Sequence, residues 1–586
     1  MKSLALTAAA LSFAFTLSAN DSGTIHGPVP LWTNSPESSI DLIWLEEIKP
    51  VRIKADTWSL GYSGFGFGDN DDFTHTGRAQ STAIYIRRLI NIGDWAEGRQ
   101  LIARVRYDDG IIAYVNGEEA LRLNVQTGSG TTAQGIESHE ASDYEEHTIG
   151  TFGKNLTTGE MRIAVEAHNQ NKTSSDMTLQ VQLVVRKTRK DGKIVEHIVL
   201  RSDAPWECFA GEEPEEDWAN KHGGIDHYFK NRAARFELGI TDENILPVEN
   251  SNIAVEYRPF GDAPAIAWSA KITGLQPSTR YRVTLKDRTI GKSNTELVIE
   301  TASLKMPTGG LKFVTGGDMS HTRELLDAMN IRCGKLDPHF ALLGGDLAYA
   351  NGVAHDRWYW WLDSWRDHAV TPDGRTVPMV VAIGNHEVYP AEQGLSREFS
   401  PLFNSLFPLP DNNTAYSITF GDYLALVQLD SDHSQPVSAQ TDWLKSELAT
   451  LESYPWLFVC YHKPTFGTGV KADNMNVRRE WCPLFENHKV DAVFENDHHT
   501  LKRTTAVTSD GTPDPVNGIP YFGDGSWGVT PRPIPDTVKE LDYMAHSEST
   551  NHLWLVELGN QQATLTALTA DGKTLDRATI PVKRGE

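Results

Sequence analysis

The chain has 586 residues and a formal charge of −24, with 54 Lys and Arg against 78 Asp and Glu. That length is enough for several domains, each with a buried core. The acidic balance offers no basic face to a nucleic acid and reads as a solvated surface that keeps an exported protein soluble.

Met1-Lys2-Ser3 is followed by an uncharged run from Leu4 to Ala19, with Leu-Ser-Ala19 as a small-residue cleavage point. This is the pattern of a signal peptide over residues 1–19, too short and wrongly flanked to span a membrane. The mature protein is therefore expected to be secreted or periplasmic, with no membrane span. The four cysteines, Cys208, Cys333, Cys460 and Cys482, fit neither a small disulfide framework nor a zinc pattern. Cys460 reads as a small buried residue, and pairing stays open.

Residues 25–195 read as all-β. Leu101–Tyr107, Ile111–Val115, Met161–Glu166 and Met177–Val185 have strand character between Gly, Asn and Asp turns. Asp108, Asp109 and Asn116 are expected in hairpin turns. Asp69, Asp71 and Asp72 sit in a Gly-rich loop that reads either as a Ca²⁺ loop or as a solvated acidic turn. The phrases Tyr107-Asp-Asp-Gly110, Tyr114-Val-Asn-Gly117 and Ala167-His-Asn169, with Ser174-Ser-Asp176, resemble galactose-binding-like jelly-roll domains. That resemblance implies a glycan partner, Ca²⁺, or packing against an enzyme.

Residues 200–305 read as a second β segment, with Gly211 to Asp217 as an acidic connector. Ser269 to Leu285 resembles part of a fibronectin-type-III sandwich, with Tyr281 as a tyrosine-corner residue. From about 310 strands alternate with helices, placed at Arg323–Ile331 and Thr441–Glu452, which argues α/β. His552–Leu558 and Gln562–Leu568, with an Asp571-Gly turn, read as closing hairpin strands. The fold class expected is multidomain: two N-terminal all-β sandwiches followed by a four-layer α/β domain over 310–586.

Five polar motifs punctuate this last region: Gly-Gly-Asp318, Gly-Gly-Asp346-Leu-Ala-Tyr349, Gly-Asn385-His386-Glu387, Cys-Tyr-His462-Lys-Pro and Glu-Asn-Asp497-His498-His499. Each follows a strand-like apolar run, and open α/β sheets gather reactive residues at the carboxyl ends of strands. Asp, Asn, His and Tyr are hard or borderline donors, suited to Fe, Mn or Zn. A carboxylate such as Asp346 can bridge two cations, and two cations about 3.5–4 Å apart can clamp a phosphate and activate a water. One Gly-Asp or Gly-Asn is an ordinary turn; five in this order point to one site. The aromatics of Trp358–Trp361 and of Tyr521–Trp527 fit either a cleft wall or core.

The order Gly-Asp, Gly-Asp-x-x-Tyr, Gly-Asn-His-Glu, His-x-Pro and a terminal His pair resembles the calcineurin-like metallophosphoesterases. The Tyr349 position, and a β-sandwich preceding the motifs, resemble their purple acid phosphatase branch. The resemblance implies that Asp318, Asp346, Tyr349 and His499 hold a trivalent iron. It implies that Asp346, Asn385 and His462 hold a divalent Fe, Zn or Mn ion, and that Asn385 and His386 contact the phosphate. It also implies a metal-bound hydroxide as nucleophile. Two positions depart from the pattern. Asp497 stands where the branch has the first histidine of Gly-His-x-His, with His498 as the alternative in a shifted register. No histidine lies between Lys463 and Glu480 to protonate the leaving group, so His433 or His321 is the candidate.

The activity expected is an exported, acid phosphatase-like hydrolase of small-molecule phosphate monoesters. The alternatives are a phosphodiesterase on nucleotide or lipid head-group substrates, or a degenerate scaffold that binds glycans.

Overall fold

The computed structural model describes residues 23–584 except 50, 54, 69–71, 77–82, 127–133, 172–175, 212–213, 222–224, 229–234, 243–247, 249–250, 289–293 and 390–395. The signal-peptide residues 1–19 and Asp69 and Asp71 lie outside the described residues. Among those described, no helix is long and apolar enough to cross a membrane, and the four cysteines are buried as free thiols.

The first sandwich packs two antiparallel sheets. One carries Gly110–Val115, Gly159–His168, Ala83–Ile92 and Pro205–Ala210; the other carries Gln100–Tyr107, Met177–Thr188 and Phe65–Phe67. Alternating apolar residues of both, such as Ile84, Ile86, Val105, Ile163, Leu179 and Val181, meet in its core. Asn116 and Gly117 both have left-handed backbone, φ 51° and 82°, and form the expected two-residue hairpin between Gly110–Val115 and Glu118–Leu123. Asp72 is buried.

This sandwich spans about residues 51–210, not 25–195. Ile25–Leu31 and Ser39–Glu47 leave it and enter a ten-stranded sheet. Ser39–Glu47 pairs antiparallel with Ala265–Thr273, and Leu31 meets Met379 in a parallel bridge. Both segments are buried over nearly their whole length, as strands of a sheet covered on both faces are. The second sandwich thus shares its wall with the motif-bearing region. A three-stranded sheet of Phe236–Asp242, Arg280–Asp287 and Asn294–Glu300 closes its other side. Trp44 stacks on Trp268 at 5.9 Å, and Phe236 meets Trp268 at 4.7 Å. The Tyr281 hydroxyl accepts the Gln276 N–H at 2.7 Å, the bond expected of a tyrosine corner.

Beyond residue 310 the chain builds four layers. Helices Arg323–Lys335 and His355–His368 cover the ten-stranded sheet; Val437–Thr450, Met475–Glu480 and Cys482–Asn487 cover a seven-stranded one. The sheets meet face to face through Phe313, Phe458 and Phe494, with Phe313 at 6.0 Å from each of the other two. Thr322 caps the first helix by accepting the Leu325 N–H at 3.3 Å. Trp358, Trp361 and Trp365 lie on one face of the second and are buried, so these aromatics are core rather than cleft. Each indole removes about 150–250 Å² from water, worth roughly 4–6 kcal/mol.

Candidate metal centre

Leu311–Gly316, Phe340–Leu343 and Met379–Val381 run parallel in one sheet; Trp456–Cys460 and Ala492–Phe494 run parallel in the other. Asp318, Asp346, Asn385, His462 and Asp497 each follow one of these strands by two to four residues. They converge where the carboxyl ends of both sheets meet. Asp318, Asp346, Tyr349, Asp497 and His499 all take left-handed backbone, φ 53–75°. Such backbone costs about 1–3 kcal/mol at a residue like Tyr349. It turns these side chains back across the strand ends, toward one another.

The resulting geometry has two halves joined by Asp346. In the first, the Tyr349 hydroxyl donates to Asp318 Oδ1 at 2.9 Å and lies 2.9 Å from His499 Nε2. His499 Nε2 is itself 2.9 Å from Asp318 Oδ1. In the second, His462 Nε2 lies 3.2 Å from Asp346 Oδ2 and 3.7 Å from Asp497 Oδ1. Asn385 stands beside Asp497 on the wall of a cleft of about 550 Å³. Asp318, Asp346 and His462 offer ligand atoms all within 4.8 Å of one another.

These residues fit a pair of cations. Asp346 Oδ2 and His462 Nε2 are shut off from water and have only each other within hydrogen-bond reach, at 3.2 Å, although burying such groups so sparsely partnered is costly. The His462 Nδ1 side contacts the Gly344 carbonyl at 2.9 Å, which leaves Nε2 as the donor toward an ion. Burial opposes a charge on His462, yet Asp346, Asp318 and Asp497 push its pKa to about 10. A proton is thus held where a cation would sit. Burial also opposes ionisation of Asp346, but His462 and His386 more than offset it and hold the carboxyl far below its usual range. Burial, Asp318 and Asp346 hold the Tyr349 phenol well above its usual range, so a phenolate there needs a strong positive charge beside it. Gly384 lets the third motif close on the second: a Cβ there would stand 2.3 Å from Asp346 N and Oδ1. Gly525 does the same for Asp318, whose Oδ2 would lie 1.8 Å from a Cβ.

The remaining expected residues divide. His386 is partly exposed, stacks on Tyr349 at 4.1 Å and donates its backbone N–H to Asp346 Oδ1 at 2.7 Å. Its ring is held by Asn351. His498 turns away from the centre, with Nδ1 3.2 Å from the buried Asp524, so Asp497 is the residue that faces it. His321 reaches the open side, 4.8 Å from the Tyr349 ring and 5.3 Å from that of His499. Burial, then His499, lowers its pKa to about 4. His433 does not line the cleft. It is buried behind His462, ring to ring at 5.3 Å, with Nε2 against Ser431 Oγ at 3.1 Å. Burial, then Lys463, pushes its pKa well below the usual range, so the proton-donor role expected of it meets a disfavoured imidazolium and a ring away from the cleft.

Two contributors carried no recognisable assignment in the sequence. Glu387 sits inside a motif, but its task is structural. Its carboxylate accepts the N–H groups of Asp346, Leu347 and Gly384, each at 2.8 Å. Lys471, from a stretch with no motif, places Nζ 2.5 Å from Asp497 Oδ1.

Residues 315–499 match the calcineurin-like phosphoesterase family. An uncharacterized protein of Mycobacterium tuberculosis is 31% identical over 218 residues, which cover 31% of this chain and 39% of that protein. Purple acid phosphatase 23 of Arabidopsis thaliana is 25% identical over 295 residues, 43% of this chain and 61% of the relative. The tartrate-resistant acid phosphatase type 5 of Sus scrofa is 25% identical over 304 residues, 47% of this chain and 88% of the relative. The chain thus spans about two fifths of the length of the mycobacterial relative.

Proposed function

We propose that this chain, which carries a calcineurin-like phosphoesterase domain and has purple acid phosphatases among its relatives, is an exported phosphoesterase. Its centre would hold two metal ions, with Asp318, Tyr349 and His499 on one side, Asn385, His462 and Asp497 on the other, and Asp346 between. Iron with Fe, Zn or Mn matches this donor set. The observation that carries the reading is the buried convergence of Asp318, Asp346 and His462, whose ligand atoms lie within 4.8 Å of one another, with Asp346 Oδ2 and His462 Nε2 hydrogen-bonded to nothing beyond their mutual contact. Bound ions supply Lewis acidity and lower the pKa of a water. The chain's own residues do the rest. His386 stands on Tyr349, where it can meet a phosphoryl oxygen. Glu387 fixes the two loops that present Asp346 and Asn385. The walls of the 550 Å³ cleft receive the ester's organic group.

We assign monoesters as the preferred substrates. The volume of the cleft, about 550 Å³, favours a second reading, a diesterase whose substrate extends a further arm past Lys463 and Asn474. The test is release of nitrophenol from p-nitrophenyl phosphate and from its bis-ester by full-length protein loaded with iron and then zinc or manganese. Faster monoester turnover supports the first reading, and faster diester turnover the second. No turnover of either ester in any metal combination overturns both. Export is tested by N-terminal sequencing of the protein recovered outside the cytoplasm, with a start near residue 20 expected.

A further inference from the structure

We propose that Lys471 sets the electrostatic balance of the centre through Asp497, lowering its affinity for the second cation and raising its affinity for the phosphate dianion. The inference rests on the dinuclear reading above and deepens it. Asp497 is buried and clamped. Its N–H donates to Asp318 Oδ2 at 2.8 Å, and its carbonyl accepts Arg532 Nη1 at 3.2 Å. Its Oδ1 is shared between His462 Nε2 at 3.7 Å and Lys471 Nζ at 2.5 Å. Lys471 is thus the one lysine or arginine paired with that carboxylate among the described residues, and it belongs to none of the five motifs.

Three carboxylates, Asp318, Asp346 and Asp497, crowd the centre. Without a counter-charge, the third would tighten a metal ion but blunt its Lewis acidity and repel an incoming phosphate. Lys471 offsets that charge from the substrate side. Its side chain is 37% exposed and lines the cleft with Lys463, Asn385 and Asn474. The nearby Lys463 Nζ is directed instead to the Asp432 carbonyl at 3.1 Å, so the two lysines are not equivalent. A cation placed on a ligand's carboxylate opposes a metal ion and attracts a phosphoryl group at the same time. The two effects must therefore move in opposite directions when Lys471 is neutralised.

The test uses full-length protein stripped of metal and titrated with Zn²⁺ against a chromogenic chelator, beside steady-state kinetics on p-nitrophenyl phosphate and inhibition by orthophosphate. Lys471→Gln should bind its second zinc roughly tenfold tighter, the scale of one charge in a partly solvated site. KM and the orthophosphate inhibition constant should rise several-fold. Lys471→Arg should restore all three. A partly exposed residue with only a structural role would lower the melting temperature and would not tighten zinc. Equal or weaker zinc binding by Lys471→Gln overturns the proposal, as does tighter binding with an unchanged KM. A wild type that takes up fewer than two zinc ions overturns the dinuclear reading itself.

Discussion

Replacing Glu387 with glutamine keeps shape and volume and changes one atom from acceptor to donor. The wild-type Oε2 accepts the N–H groups of Asp346 and Gly384, and Oε1 accepts that of Leu347. A glutamine keeps its carbonyl where two bonds are made and turns its NH₂ toward Leu347. One buried N–H is then left facing another donor. Losing a charge-assisted bond and stranding its partner costs about 1–3 kcal/mol, which is roughly 5- to 150-fold in the local opening equilibrium. The Glu387 carboxyl is raised to about 7, by burial first and then by Asp346, against the pull of its backbone donors. The experiment is therefore run at pH 8, where the carboxylate predominates. Hydrogen exchange read by mass spectrometry on peptides covering residues 344–350 should show Leu347 exchanging faster by that factor. Zinc affinity should fall with it, because the turn that presents Asp346 keeps only one of its two N–H bonds to this side chain. Unchanged exchange at Leu347 would refute the claim that this carboxylate holds the second and third motifs together.

Other outcomes follow from the same geometry. Asp346→Asn removes the charge shared by both halves of the centre; metal analysis should find less than half the wild-type content, and ester hydrolysis should fall at least a thousandfold, on the scale of lost electrostatic catalysis. In iron-loaded protein, a visible absorption band is expected from a Tyr349 phenolate, and Tyr349→Phe should lack it while keeping the far-ultraviolet circular dichroism of the wild type. His197 packs between the first sandwich and the motif-bearing region, edge-on to Trp95 at 4.7 Å and to Phe399 at 4.6 Å. Burial lowers its pKa to about 4. Its folded pKa lies below the unfolded value of about 6.5, so the stability it contributes is complete above pH 6.5 and lost as pH falls toward 4. The loss is at most about 3 kcal/mol. Melting curves between pH 7 and 4 should slope downward more steeply for the wild type than for His197→Phe.

The parts of the molecule readable in advance share a short range. Asn116-Gly117 demands left-handed backbone at both positions and so announces its hairpin. The five ligand motifs sit two to four residues beyond strands whose apolar runs are continuous, so their convergence follows from sheet topology alone. Other features depend on distant partners. Helix Arg323–Lys335 runs past the expected Ile331 because Cys333 and Gly334 are buried in the core. Ser39–Glu47 pairs locally with Ile25–Leu31, but nothing in its sequence names the neighbour on its other edge, Ala265–Thr273, more than two hundred residues away in the chain. His433 lies in a polar loop, and nothing in Leu-Asp-Ser-Asp-His tells which way the ring turns. Lys471 acquires meaning only when the 467–474 loop is laid over Asp497. Local chemistry names ligands; only packing names the residues that tune them.

The ten-stranded sheet also constrains how this chain is made. Ile25–Leu31 and Ser39–Glu47 emerge from the ribosome early and pair with each other, yet their outer neighbours in the sheet are Met379–Val381 and Ala265–Thr273. Trp32 comes to rest against Phe340 and Phe420. Until those residues are synthesised, the outer edges of this strand pair are unpaired and its faces uncovered, which is the situation that slows folding and invites wrong pairing. The first sandwich, complete by residue 210, can fold while they wait. The same topology makes the modules inseparable by a simple cut. A fragment starting at residue 200 would retain every metal-facing side chain but lose two interior strands, opening the sheet between Ala265–Thr273 and Met379–Val381. Trimmed versions of this protein should begin before Ile25, not at the boundary between its apparent domains.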